Sequence, residues 1–152
     1  MESIRFAPLF VLEVQTSPQW VGQVPLGYVR RAGIIREGTF RGERLSGTVL
    51  PGGGDFLMKR QDGVIHLDVR TILETDAGET IYLTYTGRRK APADVDERLA
   101  RGETIPAQDM YFRTAVQFET AASSVSWLND VVAFGIGHSR PIGPVYDIYE
   151  LL

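Results

Sequence analysis

Two pairs of residues, Asp68 with Arg70 and Tyr111 with Arg113, have the types and spacing to do chemistry. Each pair is separated by two positions, so in an extended strand both members project from the same face. Tyr82, in a neighbouring extended run, can join them. If these faces met inside an apolar cavity, Asp68 would be a candidate base. Arg70, Arg113, Tyr82 and Tyr111 would donate hydrogen bonds to a developing oxyanion. Such a set suits a cofactor-independent isomerase, cyclase or lyase acting on a small carbonyl-containing, polyketide-like molecule. The competing reading follows from alternation: polar positions of a half-buried strand face water, and Asp68–Arg70 would then be a surface pair.

Further candidates for substrate contact are Asp55 and Phe56, which follow the run Gly52-Gly53-Gly54, and Trp127, Asn129 and Tyr146. The triple glycine lacks the Gly-Lys-Ser/Thr ending and following helix of a P-loop, so a glycine bulge at a barrel rim is expected there. Asp55 at that rim is a ligand contact, a second acid/base group or a turn residue capping its own backbone. Trp127 either walls a pocket or packs in the core, and Asn129 either meets a ligand carbonyl or forms a turn. Tyr146 and Tyr149 are an odd number of residues apart, so at most one of them can face a lumen. Gly135-Ile136-Gly137 lacks the third glycine and helix start of a dinucleotide loop. Two widely separated histidines offer no metal-ligand spacing, and there is no nucleophile-elbow motif. The sequence therefore implies neither cofactor nor metal.

Composition narrows the setting. The chain has 152 residues, 43% of them hydrophobic and 23% charged, and a formal net charge of -3. One globular domain spanning 1–152 is expected. Basic residues are scattered, and the cluster Arg30, Arg31 and Arg36 lies beside Glu37 and Glu43, as on a solvated face. Nucleic acid is not an expected partner. Without cysteine there are no disulfides, thiol nucleophiles or zinc–thiolate sites. Pro8 and Glu13 interrupt the apolar stretch 6–14, so neither a signal peptide nor a membrane span is expected, and a cytoplasmic protein is.

The elements that must position the candidates are short strands. Strands are expected over 9–14, 28–35, 64–73, 81–86, 110–118, 131–136 and 145–151, with a loop through Ser17, Pro18 and Pro25. In 64–73, Ile65, Leu67, Val69 and Leu73 alternate with His66, Asp68 and Arg70. Asp76-Ala77-Gly78 joins that run to the next as a hairpin. One helix is expected after Asp94, with Glu97 at the capping-box position and Gly102 as terminator, and a helical turn over 124–128. Residues 131–136 are apolar on both faces, as in a strand covered on both sides. The whole reads as an all-β barrel or sandwich with one short helix.

The ordered set Gly47-Thr48-Val49-Leu50-Pro51-Gly52-Gly53-Gly54-Asp55-Phe56, Leu67-Asp68-Val69-Arg70, Thr75-Asp76-Ala77-Gly78, Ile81–Gly87, Tyr111-Phe112-Arg113-Thr114, Trp127-Leu128-Asn129 and Val145–Tyr149 resembles the bacterial and fungal domain-of-unknown-function family 3237. The resemblance implies a closed antiparallel β-barrel, lipocalin-like or allene-oxide-cyclase-like, and a homo-oligomer. It implies no settled activity. Phe56 stands where the family often has tryptophan. The recurrence of the polar positions in the resemblance, with the two-faced run 131–136, favours the lumen for Asp68, Arg70, Tyr111 and Arg113. The expected partner is a small apolar or carbonyl-containing molecule. A non-catalytic ligand binder and a structural protein with a filled barrel are the alternatives.

Overall fold

The computed structural model describes Met1 and residues 3–152. Its ten strands are β1 (Phe6–Gln23), β2 (Val29–Arg41), β3 (Ser46–Val49), β4 (Gly54–Asp55), β5 (Met58–Lys59), β6 (Ile65–Thr75), β7 (Thr80–Lys90), β8 (Tyr111–Glu119), β9 (Ala133–Arg140) and β10 (Gly143–Leu151). One α-helix, α1 (Val95–Ala100), and 3₁₀ turns at Ala107–Asp109 and Ser123–Asp130 complete it. Among the described residues, no helix is long and apolar enough to cross a membrane.

All strand pairings are antiparallel. From β1 the ladder passes through β10, β9, β8, β7 and β6. The short strands β3, β4 and β5 succeed one another along β6 and pair on their other side with β2. Finally β2 pairs with β1, and the ring closes. About eight positions around such a ring give an interior that side chains can fill or one small ligand can occupy. The fold is all-β, as the alternation and turns predict, and of their two alternatives, barrel and sandwich, it is the barrel that the family resemblance implies.

Several boundaries differ from expectation for physical reasons. β1 runs through Ser17 and Pro18, where a loop was expected. Its pairing with β10 ends at Glu13, and Pro18 is opposite only Gly33 of β2. Proline's missing N–H thus falls on an edge, where no ladder bond is lost. The helix is present, but Asp94 makes no side-chain cap, so the expected capping box is not formed. Gly102 does end it, at φ +84°.

Inward positions of β6 are Ile65, Leu67, Val69, Thr71 and Leu73, all buried. Those of β7 begin with Ile81, Leu83 and Tyr85, and those of β8 are Phe112, Thr114, Val116 and Phe118. Toward one end of the barrel, Phe10, Leu12, Phe40, Leu73, Leu83, Phe118 and Leu128 of the 3₁₀ turn fill the lumen. Each such side chain contributes about 1.5–3 kcal/mol by burial. Gly135 and Gly137 of β9 leave room for large neighbours: a Cβ at Gly137 would lie 2.7 Å from the Phe112 ring.

On the outer side of β9, Phe134 belongs to an aromatic trio with Phe6 and Tyr149. Phe134 stacks on Tyr149 at 5.4 Å and 18°, and Phe6 meets Phe134 edge-on at 5.7 Å. Tyr149 is therefore the outward tyrosine of β10, and Tyr146 the inward one.

Candidate functional site

Beyond the packed half, the lumen opens into a cavity of about 250 Å³. Its walls are largely apolar, from Val14, Ile35, Leu57, Leu67, Val69 and Phe112. Its polar lining includes Asp55, Tyr85, Tyr146, Arg31, Arg89 and Arg140, with Thr16 and Ser139. Leu99 of α1 also lines it.

Asp55 reaches this wall through the glycine run before it. After β3, Gly52 takes φ +102°, a conformation open to glycine. At Gly53 a Cβ would come within 2.6 Å of the Arg70 carbonyl oxygen. The segment is thereby pressed between β2 and β6: the Gly52 N–H donates to the Ile35 carbonyl, and the Ile35 N–H donates to the Gly53 carbonyl. The run is thus the expected glycine bulge, with the Gly52 amide consumed by the sheet. In β4, Asp55 is opposite Gly33 of β2 and Val69 of β6. Its Oδ1 accepts the Asp68 backbone N–H at 2.9 Å, a bond across strands rather than a cap on its own turn.

Burial dominates the electrostatics of Asp55. Desolvation disfavours the carboxylate and outweighs the Asp68 N–H and the nearby Arg31 charge, which pull the other way. The result is a pKa pushed up to about 6. Tyr85 and Tyr146 are both buried, with ring centroids 5.1 Å apart and interacting hydroxyls. Burial raises both phenols, and the Asp55 charge raises them further, so they stay protonated. Phe112 packs edge-on against Tyr146 at 5.2 Å. The Tyr146 O–H donates to the Tyr85 oxygen, so the Tyr85 O–H is the one that can turn to a ligand. A carboxyl that titrates near pH 6 and a phenol donor in one apolar cavity can move a proton and stabilise an oxygen anion.

The structure corrects the placement expected for the first candidates. Asp68 and Arg70 lie on the outer face of β6 as an ion pair at 3.2 Å, with side chains 44% and 53% exposed. Tyr111 and Arg113 lie on the outer face of β8, the guanidinium 5.3 Å from the ring centroid. Tyr82 is on the outer face of β7. The reason is parity: the alternate positions of these strands carry the apolar residues that fill the lumen, and a strand cannot turn both faces inward. Phe56 is exposed as well. Trp127 packs on the core toward the opposite end of the barrel, its ring 4.2 Å from the Arg44 guanidinium, which pairs with Glu150. Asn129 is a turn clamp: its amide donates to the Thr120 and Ser126 carbonyls and its Oδ1 accepts the Thr120 N–H. Of the sequence candidates, Asp55 and Tyr146 line the cavity.

Tyr85, Arg89, Arg31 and Arg140 were not among those candidates. Arg31 had been grouped with Arg30 and Arg36 on a solvated face, but it faces the cavity. Arg36 instead donates to Ser17 Oγ. Parity carries the missed signal. Tyr85 and Arg89 continue the stripe of Ile81 and Leu83, and Arg31 shares a face with Gly33 and Ile35.

The fold and site together define a β-barrel packed at one end and hollow at the other. The chain belongs to the family described as protein of unknown function (DUF3237), whose model matches residues 4–151. It is similar to a UPF0311 protein of Rhodopseudomonas palustris, with 34% identity over 131 residues, 86% of this chain and 85% of that protein. The crystal structure of that protein superposes with a TM-score of 0.91 at 29% identity, covering 100% of both chains. A β-barrel-like protein of Acinetobacter baumannii superposes at 0.85 with 33% identity, covering 100% of this chain and 98% of that one. A Penicillium herquei protein described as an enzyme shares the fold at 0.74 and 19% identity, over 100% and 97% of the two chains.

Proposed function

We propose that this chain is a cofactor-independent acid/base enzyme acting on a small, largely apolar, carbonyl-containing molecule held in the hollow half of the barrel. Asp55 moves the proton, and Tyr85, whose oxygen accepts the Tyr146 O–H, donates a hydrogen bond to the oxygen that gains negative charge. Reactions of this kind, isomerisation, cyclisation or elimination, need a shaped cavity and a group that titrates near neutrality. The observation that carries the reading is the Asp55 carboxyl, enclosed between β2 and β6 in the wall of an apolar cavity; burial there pushes its pKa up to about 6. A cavity of about 250 Å³ also argues against a barrel filled with side chains throughout.

Proton exchange at the carbon alpha to the carbonyl of 2-tetralone, followed in D2O by proton NMR, tests the reading without knowledge of the natural substrate. The protein should accelerate exchange over buffer, with a rate that rises through pH 6 as Asp55 ionises. Asp55→Asn should lower the enhancement about 100-fold or more, the usual worth of a positioned general base. Exchange that survives Asp55→Asn undiminished overturns the assignment. Binding of the ketone with no exchange makes the chain a ligand carrier instead.

A further inference from the structure

We infer that the ligand of this cavity carries an acidic oxygen group, a carboxylate or an acidic phenol or enol, which sits on the Arg31 and Arg89 guanidiniums while its apolar body fills the rest. This names the substrate class for the site proposed above and rests on that reading of the cavity.

The two arginines come to the same end of the lumen from different strands. Arg89 of β7 is opposite Ile65 of β6, Ile65 is opposite Lys59 of β5, and Lys59 is opposite Val29, two residues before Arg31. Both side chains line the cavity, and each has a buried Nε with no hydrogen-bond partner. Buried N–H donors are nearly always paired, and those of an arginine are costly to leave without an acceptor. Burial lowers the Arg89 pKa; the Asp96 carboxylate, itself paired with Lys59, pulls the other way, and the Arg31 charge lowers it further, as expected for like charges brought together.

What negative charge the walls hold is already committed. Asp55 spends Oδ1 on the Asp68 amide and is half protonated near pH 6. Glu13 is paired with Arg140, at 2.8 Å, which removes Arg140 from the account as well. Among the described residues, neither Arg31 nor Arg89 makes an ion pair. The cavity therefore lacks one anion. Guanidinium forks match the planar oxygens of a carboxylate or a delocalised enolate. Beside them, Leu67 and Val69 of β6 and Phe112, the cross-strand partner of Arg89, give the cavity apolar surface that fits a ring or hydrocarbon rather than a second charged group.

Isothermal titration with 2-naphthoate and with 2-naphthamide, nearly the same shape but neutral, tests this. The wild-type protein should bind naphthoate about tenfold or more tightly than the amide. Arg31→Gln and Arg89→Gln should each weaken naphthoate about tenfold and leave the amide within about threefold. If Arg89→Gln does not fold, Arg31→Gln and the wild-type pair of probes decide the matter. Equal affinity for the two probes, or equal loss of both in the glutamine variants, overturns the inference and leaves the cavity as a neutral-ligand site. Binding of neither probe overturns it together with the cavity reading. Failure of the acid/base assignment is read separately, from tetralone exchange in Asp55→Asn.

Discussion

Replacing Asp55 with asparagine keeps the side chain's shape and the oxygen that accepts the Asp68 N–H, and removes only the titrating proton. In the folded protein the carboxyl has a pKa of about 6, against 3.8 for the unperturbed group. A raised carboxyl pKa means that the folded state holds the proton more tightly than the unfolded chain does. The folded state is therefore least burdened below pH 3.8, and stability falls as pH rises from 3.8 through 6. At about 1.4 kcal/mol per pKa unit, the shift of about 2 units costs the wild type about 3 kcal/mol above pH 7. Asparagine carries no such burden. Urea denaturation of the two proteins from pH 4 to 8.5 should show near equality at the acid end. Asp55→Asn should gain steadily up to about pH 6.5, then hold a constant advantage of about 3 kcal/mol, an increase of about 1–2 M in the urea midpoint. A difference that stays flat across this range, or a variant that is the less stable of the two at pH 8, would refute the assigned burial of the charge.

Gly137→Ala places a methyl group 2.7 Å from the Phe112 ring. Overpacking of this kind should cost about 1–3 kcal/mol in urea denaturation, and the displaced ring should also weaken 2-naphthoate in titration. Asp68→Asn combined with Arg70→Ala removes an exposed ion pair. Stability should change by no more than about 1 kcal/mol, and tetralone exchange should match the wild type.

The strands were legible in the sequence because they announce themselves locally, whereas closure into a barrel rested on the family resemblance. The alternation at Ile65, Leu67, Val69 and Leu73 and the Asp76-Ala77-Gly78 turn are consequences of neighbouring residues alone. The orientation of the chemistry was less legible. Polar residues at Asp68 and Arg70 drew attention as a set, whereas the cavity is lined by residues at the ends of apolar stripes. Arg89 lies beyond Ile81, Leu83 and Tyr85, and looks like a fraying strand end. What makes it a cavity residue is cross-strand register, which sets it opposite Ile65 and near the level of Arg31. Single-strand periodicity carries no information about where a stripe leaves the packed core. The apolar outer side of β9 misled in a similar way, because Phe6, which packs on Phe134 there, comes from the far end of the chain. Asp55 was expected at a barrel rim, but it lies in the wall opposite Val69, midway along β6, and its protonation depends on that enclosure by β2 and β6.

The split of the lumen into a packed half and a hollow half has a consequence for how such a barrel tolerates change. Leu83, Phe40 and Leu128 supply cohesion at one end, while Val14, Ile35, Leu57 and Phe112 shape the space at the other. A library randomised at the hollow end would draw on a reserve of stability it does not itself encode. Wall residues on this plan can be altered without touching those that supply cohesion. The same separation makes the hollow end of the scaffold a practical starting point for directed evolution.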